Sequence, residues 1–251
     1  MKYLLLLCGV IFSISNVTQA AEVIHWGYDK EISPEHWAEL DEHYKVCKTG
    51  KNQTPINIVN PYKSAIKHNL KIDYKATPHD IVFNGHTVQV NTKKDDHSDF
   101  IVVDQQKYYL KQFHFHTPSE NQIQGKSFPL ELHFVNENAA GELTVLAVMF
   151  NIGSMNTEWN KFWADLSFKE NDDKNLSRTL NLNNLLPKKL EYYRFSGSLT
   201  TPPCSEGVNW IVLKHPLTIS QQQLQSFKLL ITNQDNHRPI QPLNGRIILE
   251  D

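Results

Sequence analysis

The chain has 251 residues, 40% hydrophobic and 21% charged, with five Trp, nine Tyr and twelve Phe; this balance excludes disorder, collagen-like repeats and a polytopic membrane protein. A formal net charge of −2 provides no basic surface for a general nucleic-acid binder or for an anionic membrane, and points to small or neutral partners. Twelve His is the unusual count, and it directs attention to metal or proton chemistry.

Lys2, an apolar run over residues 4–12 and the small-residue site Thr18-Gln19-Ala20 predict a signal peptide over residues 1–20, with cleavage after Ala21 as the close second. The run is shorter than the ~20 residues that span a bilayer. Residues 21–251 then read as one domain, since no linker, repeat or low-complexity block divides them. Loss of Cys8 with the leader leaves Cys47 and Cys204 in an oxidising compartment. Pairing with each other is the simplest outcome, and two buried free thiols are the alternative. The two lie 157 positions apart, so a bridge stabilises the fold by roughly 5 kcal/mol on the chain-entropy model, less any native strain.

In chain order, Ser33-Pro34 opens a short helix ahead of Trp37. Strands are predicted over residues 70–74, 101–104, 108–116, 130–135, 143–150, 191–195 and 208–213. Asn84-Gly85, between apolar runs at 81–83 and 87–90, is a tight-hairpin signal because both residues tolerate positive φ, which places His86 just after the turn. Trp159, Phe162, Trp163 and Leu166 recur with helical spacing behind a cap at Asn156 or Thr157, and Ser220 caps a run carrying Leu224, Phe227 and Ile231. The fold class is mainly β: a sheet-dominated domain with a few short helices.

Chemistry concentrates in Gln112-Phe113-His114-Phe115-His116. On a strand, alternation sends Gln112, His114 and His116 to one face and the two Phe to the other. In Leu130-Glu131-Leu132-His133-Phe134-Val135, Glu131, His133 and Val135 share a face, so a neighbouring strand can bring a third imidazole. Three neutral nitrogens with a fourth position open is the catalytic pattern for zinc. Gln112 and Glu131, each two residues from a histidine, are placed to accept its second N–H. Alternation alone also allows two satisfied histidines beside an unrelated third.

His25-Trp26-Gly27-Tyr28, Gln53-Thr54-Pro55-Ile56-Asn57-Ile58, Gln112 to Glu120, Glu131-Leu132-His133 and Ser196-Gly197-Ser198-Leu199-Thr200-Thr201-Pro202-Pro203 together resemble the α-class carbonic anhydrases, from about His25 to Arg246. Phe128-Pro129-Leu130, the leader and the two remaining cysteines resemble the secreted bacterial branch. The resemblance implies a large twisted, mostly antiparallel sheet with short surface helices and zinc in a conical cavity. It implies reversible hydration of CO2 to bicarbonate and a proton, with His114, His116 and His133 as zinc ligands.

The same resemblance assigns further roles. Thr200 is the threonine that accepts a hydrogen bond from the nucleophile and gives its own proton to a carboxylate, here Glu120; Thr201 contacts bicarbonate. Val135, Val145, Leu199, Val208 and Trp210 match an apolar wall for CO2. His86 matches a proton shuttle, and Tyr28, Asn84 and Gln89 match polar residues along its route. Strict alternation sets Gln89 opposite His86, so irregular backbone is expected between them. Asn236 supports His116 through its backbone carbonyl, a role any residue type can fill. A short Thr117-Pro118-Ser119 segment, and Asn121 in place of a histidine, depart from animal members around Glu120. CO2 and bicarbonate are the implied small-molecule partners, in a periplasmic or secreted setting with no nucleic acid and no membrane anchor after processing; a homodimer stays open. A catalytically silent, carbonic-anhydrase-like binding protein is the alternative, and it is disfavoured because such relatives typically lack one or more of the histidines.

Overall fold

Runs of β-branched and aromatic residues pair into a broad sheet, seven of whose strands frame the site. They are β1 (Asp80–Phe83), β2 (Val88–Asn91), β3 (Gln106–His116), β4 (Leu130–Glu137), β5 (Leu143–Ile152), β6 (Tyr192–Ser198) and β7 (Glu206–Leu213). The structure, a computed structural model, describes residues 25–65, 69–75, 80–93, 96–166, 169–232 and 234–251; the leader expected over 1–20 lies outside them. Among the described residues the strands belong to one 13-stranded sheet, in the spatial order β1-β2-β3-β4-β5-β7-β6. Neighbours are antiparallel except β5 and β7, which run parallel. Two-residue strands at Lys174–Asn175, Leu249–Glu250 and Tyr62–Lys63 extend the edges. Segments this short show no period, which is why the sequence does not announce them.

The sheet has two apolar faces. On one, Phe113 and Phe115 of β3 and Leu132 and Phe134 of β4 are fully buried in the larger core. On the other, Val145, Val208 and Trp210 pack with Ile56, Ile58 and Phe195. Each such side chain contributes about 1.5–3 kcal/mol on burial, so the alternation that assigns it a face is strongly enforced. One interruption matters: the register of β3 against β4 shifts between Leu110 and Gln112, leaving Lys111 as an extra, exposed residue. This bulge lets Leu110 join the core with Phe113 and Phe115 although the parity of its number matches the histidines.

The predicted two-residue hairpin at Asn84-Gly85 does not form. Phe83 pairs with Val88, leaving residues 84–87 as a four-residue loop that contains His86. Asn84 is the reason: its Oδ1 accepts the N–H of His86 (3.1 Å) and of Thr87 (2.9 Å), which folds the loop around a side chain. Gly85 supplies the required positive φ of 83°. The irregular backbone expected between His86 and Gln89 is therefore present.

Among the described residues the four α-helices are short. Trp37–Leu40 (α1) follows the Ser33-Pro34 turn and buries Trp37, whose Nε1 donates to the carbonyls of Gly27 and Ile32. Val46–Thr49 (α2) carries Cys47 into a disulfide with Cys204, with Cα atoms 5.0 Å apart. Thr157–Trp163 (α3) starts at Asn156, whose Oδ1 accepts from the N–H of Glu158 and Trp159, and it ends before Leu166. Ser220 and Gln223 form a reciprocal capping box on Gln221–Leu230 (α4).

Candidate active site

Strand register assembles the three histidines. His114 of β3 is directly opposite His133 of β4, and His116 is opposite Glu131, so the expected shared face is realised. Ring centroids lie 5.0 Å apart for His114 and His116, 5.3 Å for His114 and His133, and 4.7 Å for His116 and His133. One nitrogen from each converges within 4.8 Å of the others.

Two of the remaining nitrogens are hydrogen-bonded and the third stands beside a carboxylate. His114 Nδ1 donates to Gln112 Oε1 at 2.8 Å, and His116 Nδ1 donates to the Asn236 carbonyl at 2.7 Å. His133 Nε2 lies 3.0 Å from Glu131 Oε1. Both acceptors beside Nδ1 lack protons, which fixes the tautomers of His114 and His116 with Nε2 free. His116 Nε2 is buried with no hydrogen-bond partner, the signature of a lone pair reserved for something else. Burial lowers the pKa of all three imidazoles and keeps them neutral; for His114, the proximity of His116 and His133 adds to it. Neutral nitrogens without a carboxylate among the ligands fit Zn²⁺ with an open fourth position.

Two buried carboxylates flank the cluster. Glu131 accepts from the Asn121 backbone N–H and side-chain amide, each at 2.8 Å, and burial raises its pKa to about 7. Asn121 thus occupies its non-histidine position as a two-point clamp on Glu131, and its Oδ1 takes the Ile56 N–H. Glu120 Oε1 accepts the Arg238 N–H at 2.9 Å, while Oε2 lies 3.4 Å from His116 Nε2. Burial pushes Glu120 to about 8, opposed by hydrogen bonding from the Thr200 side chain and from the Arg238 N–H.

Thr200 sits just beyond β6 in the turn that leads to β7. Gly197 permits the approach, because a Cβ there would stand 2.1 Å from Thr54 Oγ1 and 2.7 Å from Trp210 Cδ1. Leu199 N–H bonds to the Ser205 carbonyl and Cys204 N–H to the Thr201 carbonyl, closing the turn. Val135 pairs with Val145, and Val145 with Trp210, across three adjacent strands. Val208 is buried with them, and Val135 and Leu199 pack against the same cluster half-buried. Trp210 presents its ring edge-on to His133 at 5.0 Å. All five expected wall residues therefore lie on the ligand face.

His86 is placed differently. Its ring stacks on Trp26 at 3.7 Å, and lies 6.2 Å from His25 and 6.3 Å from Tyr28. Burial, with His25 adding to it, lowers its pKa to about 4. Tyr28 links this region to the centre: burial raises its phenol well above the usual value, and the nearby Glu120 charge adds to the rise. Gln89 lies opposite His114 and accepts from Asn84 Nδ2 at 3.4 Å. Asn236 supports His116 through its backbone carbonyl as expected, and its side chain adds a second role. Its Oδ1 accepts from Thr117 N–H, and its Nδ2 donates to the carbonyls of His86 and Phe115, so the side chain ties the ligand strand to the His86 loop. Arg238 was not singled out from sequence, because a lone Arg between His237 and Pro239 carries no spacing signal.

A family model described as eukaryotic-type carbonic anhydrase matches residues 32–251. A carbonic anhydrase of Klebsiella pneumoniae is 48% identical over 242 residues, covering 96% of this chain and 97% of its own length. The α-carbonic anhydrase of Thermovibrio ammonificans, solved with the inhibitor sulfanilamide, superposes with a TM-score of 0.86 at 43% identity, covering 91% of this chain and all of that one. The Photobacterium profundum α-carbonic anhydrase gives 0.82 at 44% identity, covering 90% of this chain and all of that one.

Proposed function

The chain belongs to the eukaryotic-type carbonic anhydrase family, and from that membership and its site we infer a zinc enzyme that reversibly hydrates CO2 to bicarbonate and a proton. The observation that carries this is the convergence of three histidine nitrogens beside both Thr200–Glu120 and an apolar wall. His114, His116 and His133 would hold zinc, which would supply a Lewis acid able to activate water near neutral pH.

The residues divide the remaining work. Neutral imidazoles leave the cation's charge undiminished, and Gln112, Asn236 and Glu131 hold the rings in place. The Glu120 carboxylate, which the charge of bound zinc would hold ionised, accepts the hydrogen bond of the Thr200 hydroxyl, so toward the nucleophile the Thr200 oxygen can only accept, and this orients the attacking oxygen. Val135, Val145, Leu199, Val208 and Trp210 offer apolar CO2 a surface that water does not contest, and Thr201 receives the bicarbonate product. His86 relays the proton outward along Tyr28, Asn84 and Gln89. Stacked on Trp26 its imidazole is neutral; release of the ring into water restores an ordinary pKa, so relay requires that movement.

Export is part of the proposal: residues 1–20 as a leader, a single enzyme domain over 21–251, and a periplasmic or secreted location. The Cys47–Cys204 disulfide supports it. Among the described residues no helix is long and apolar enough to cross a membrane. Purified protein is expected to hold one zinc per chain and to hydrate CO2 in a stopped-flow assay. Zinc-loaded protein with no hydration activity would favour the silent binding protein instead.

A further inference from the structure

Arg238 is the buried arginine among the described residues, and its guanidinium is held entirely within the protein. Its side chain, in a residue only 2% exposed, donates from Nη1 to Gln53 Oε1 (2.9 Å) and the Thr54 carbonyl (2.8 Å), and from Nη2 to the Cys47 carbonyl (2.6 Å). Every one of these partners is neutral. Burying a guanidinium on neutral acceptors costs more than an apolar side chain of similar volume, so the gain is in geometry.

That geometry reaches both halves of the Thr200–Glu120 pair. The Arg238 backbone N–H is the donor on Glu120 Oε1, and three side-chain bonds anchor the residue that carries it. Gln53, held by the same guanidinium, donates from Nε2 to the Cys204 carbonyl at 3.1 Å, at the close of the Thr200 turn. Thr54 exchanges two 2.9 Å bonds with Ser198, two residues before Thr200. The carboxylate and the hydroxyl therefore take their separation from one side chain.

We infer that Gln53 and Arg238 are positioning residues that keep the Thr200 proton committed to Glu120 and thereby make the site prefer ligands carrying a proton on their binding atom. This rests on the function proposed above. With Glu120 fixed, Thr200 cannot donate, and an anion without a proton gains nothing from it; with Glu120 loosened, Thr200 is free to donate and that penalty fades.

The probes are benzenesulfonamide, which binds through a nitrogen retaining one hydrogen, and thiocyanate, which has none. Calorimetric Kd values are measured on zinc-loaded wild type, Gln53→Met and Arg238→Lys, with zinc content determined on each. The thiocyanate-to-sulfonamide Kd ratio is expected to fall about tenfold or more in both variants at unchanged zinc content. A ratio within twofold of wild type in either folded variant overturns the inference. Should both variants fail to fold, amide exchange in the wild type decides: an Arg238 N–H as slow as the β3 and β4 amides supports the anchor, and one exchanging like open loop overturns it. CO2 hydration by the wild type is measured first, so a failure of the functional assignment appears there and is distinct from an active enzyme with an unmoved ratio.

Discussion

The ligand face and the Thr200–Glu120 pair meet at the same centre but are held by different means. His114, His116 and His133 stand on two long paired strands, backed by Phe113, Phe115, Leu132 and Phe134 in the main core. Thr200, Glu120 and Arg238 stand on loops, and their spacing depends on Gln53, Thr54, Ser198 and the disulfide. Register fixes the first group cooperatively, since a slip would move an entire apolar set to the wrong side. Discrete polar bonds fix the second, each worth about 0.5–1.5 kcal/mol net. Metal binding should therefore be robust to perturbation, and orientation of the nucleophile should be fragile.

The largest expected effect strikes the robust half directly. His133→Ala removes one of three ligands and should cost more than about a thousandfold in zinc affinity with essentially all hydration activity, by chelator competition and stopped flow. Retention of zinc and rate would end the ligand assignment. Thr200→Ala should lower kcat/KM by on the order of 10²–10³ while leaving zinc affinity nearly unchanged. Equal losses of metal and rate would erase the distinction between the two groups.

The same contrast explains what the sequence discloses. His114, His116 and His133 could be placed on a common face because alternation is a local rule that long strands obey. The apolar wall followed from motif resemblance, and strand pairing then brought Val135, Val145 and Trp210 side by side. Arg238 and Gln53, 185 positions apart, meet through a loop-to-loop contact that no period encodes. Asn121 showed only as a departure from a pattern, and its clamp on Glu131 became visible when the loop at 117–121 was seen beside β4. The four-residue loop carrying His86 escaped because Asn84-Gly85 signals a tight turn, whereas the Asn84 side chain organises a wider one.

Smaller effects sharpen the comparison. Replacing Cys47 and Cys204 together by Ser should lower unfolding stability by about 2–5 kcal/mol in denaturant titration, and hydration activity should decline before zinc is lost. A variant that loses zinc first would show that the disulfide serves the ligand face. In zinc-free protein, Glu120 and Glu131 have native pKa values of about 8 and 7, raised above 4.5. The folded state then binds more protons than the unfolded one, so their contribution is full below pH 4.5 and is lost as pH rises toward 8. Between pH 7.5 and 8.5, where unfolded histidines are mostly neutral, stability should fall by on the order of 0.5–1 kcal/mol. A Glu120→Gln/Glu131→Gln variant should flatten that slope, and an unchanged slope would remove both carboxylates from it. Least of all, His86→Ala should slow hydration up to about tenfold in dilute buffer only, with added imidazole restoring the rate. Equal rates at low buffer would exclude His86 from proton transfer.

Lys111 gives the ligand strand a phase that is set midway along it. Residues before it and residues after it count odd and even from different origins, and both halves reach the same core only because one residue is left over. Were Lys111 instead drawn into the ladder, the strand would keep a single count: anchored by Leu110, the downstream half would send its histidines into the core and its phenylalanines toward the metal. Flattening that one bulge with every residue kept would thus act on this enzyme like a reading-frame error in three dimensions, whereas deleting the exposed lysine would leave the frame intact.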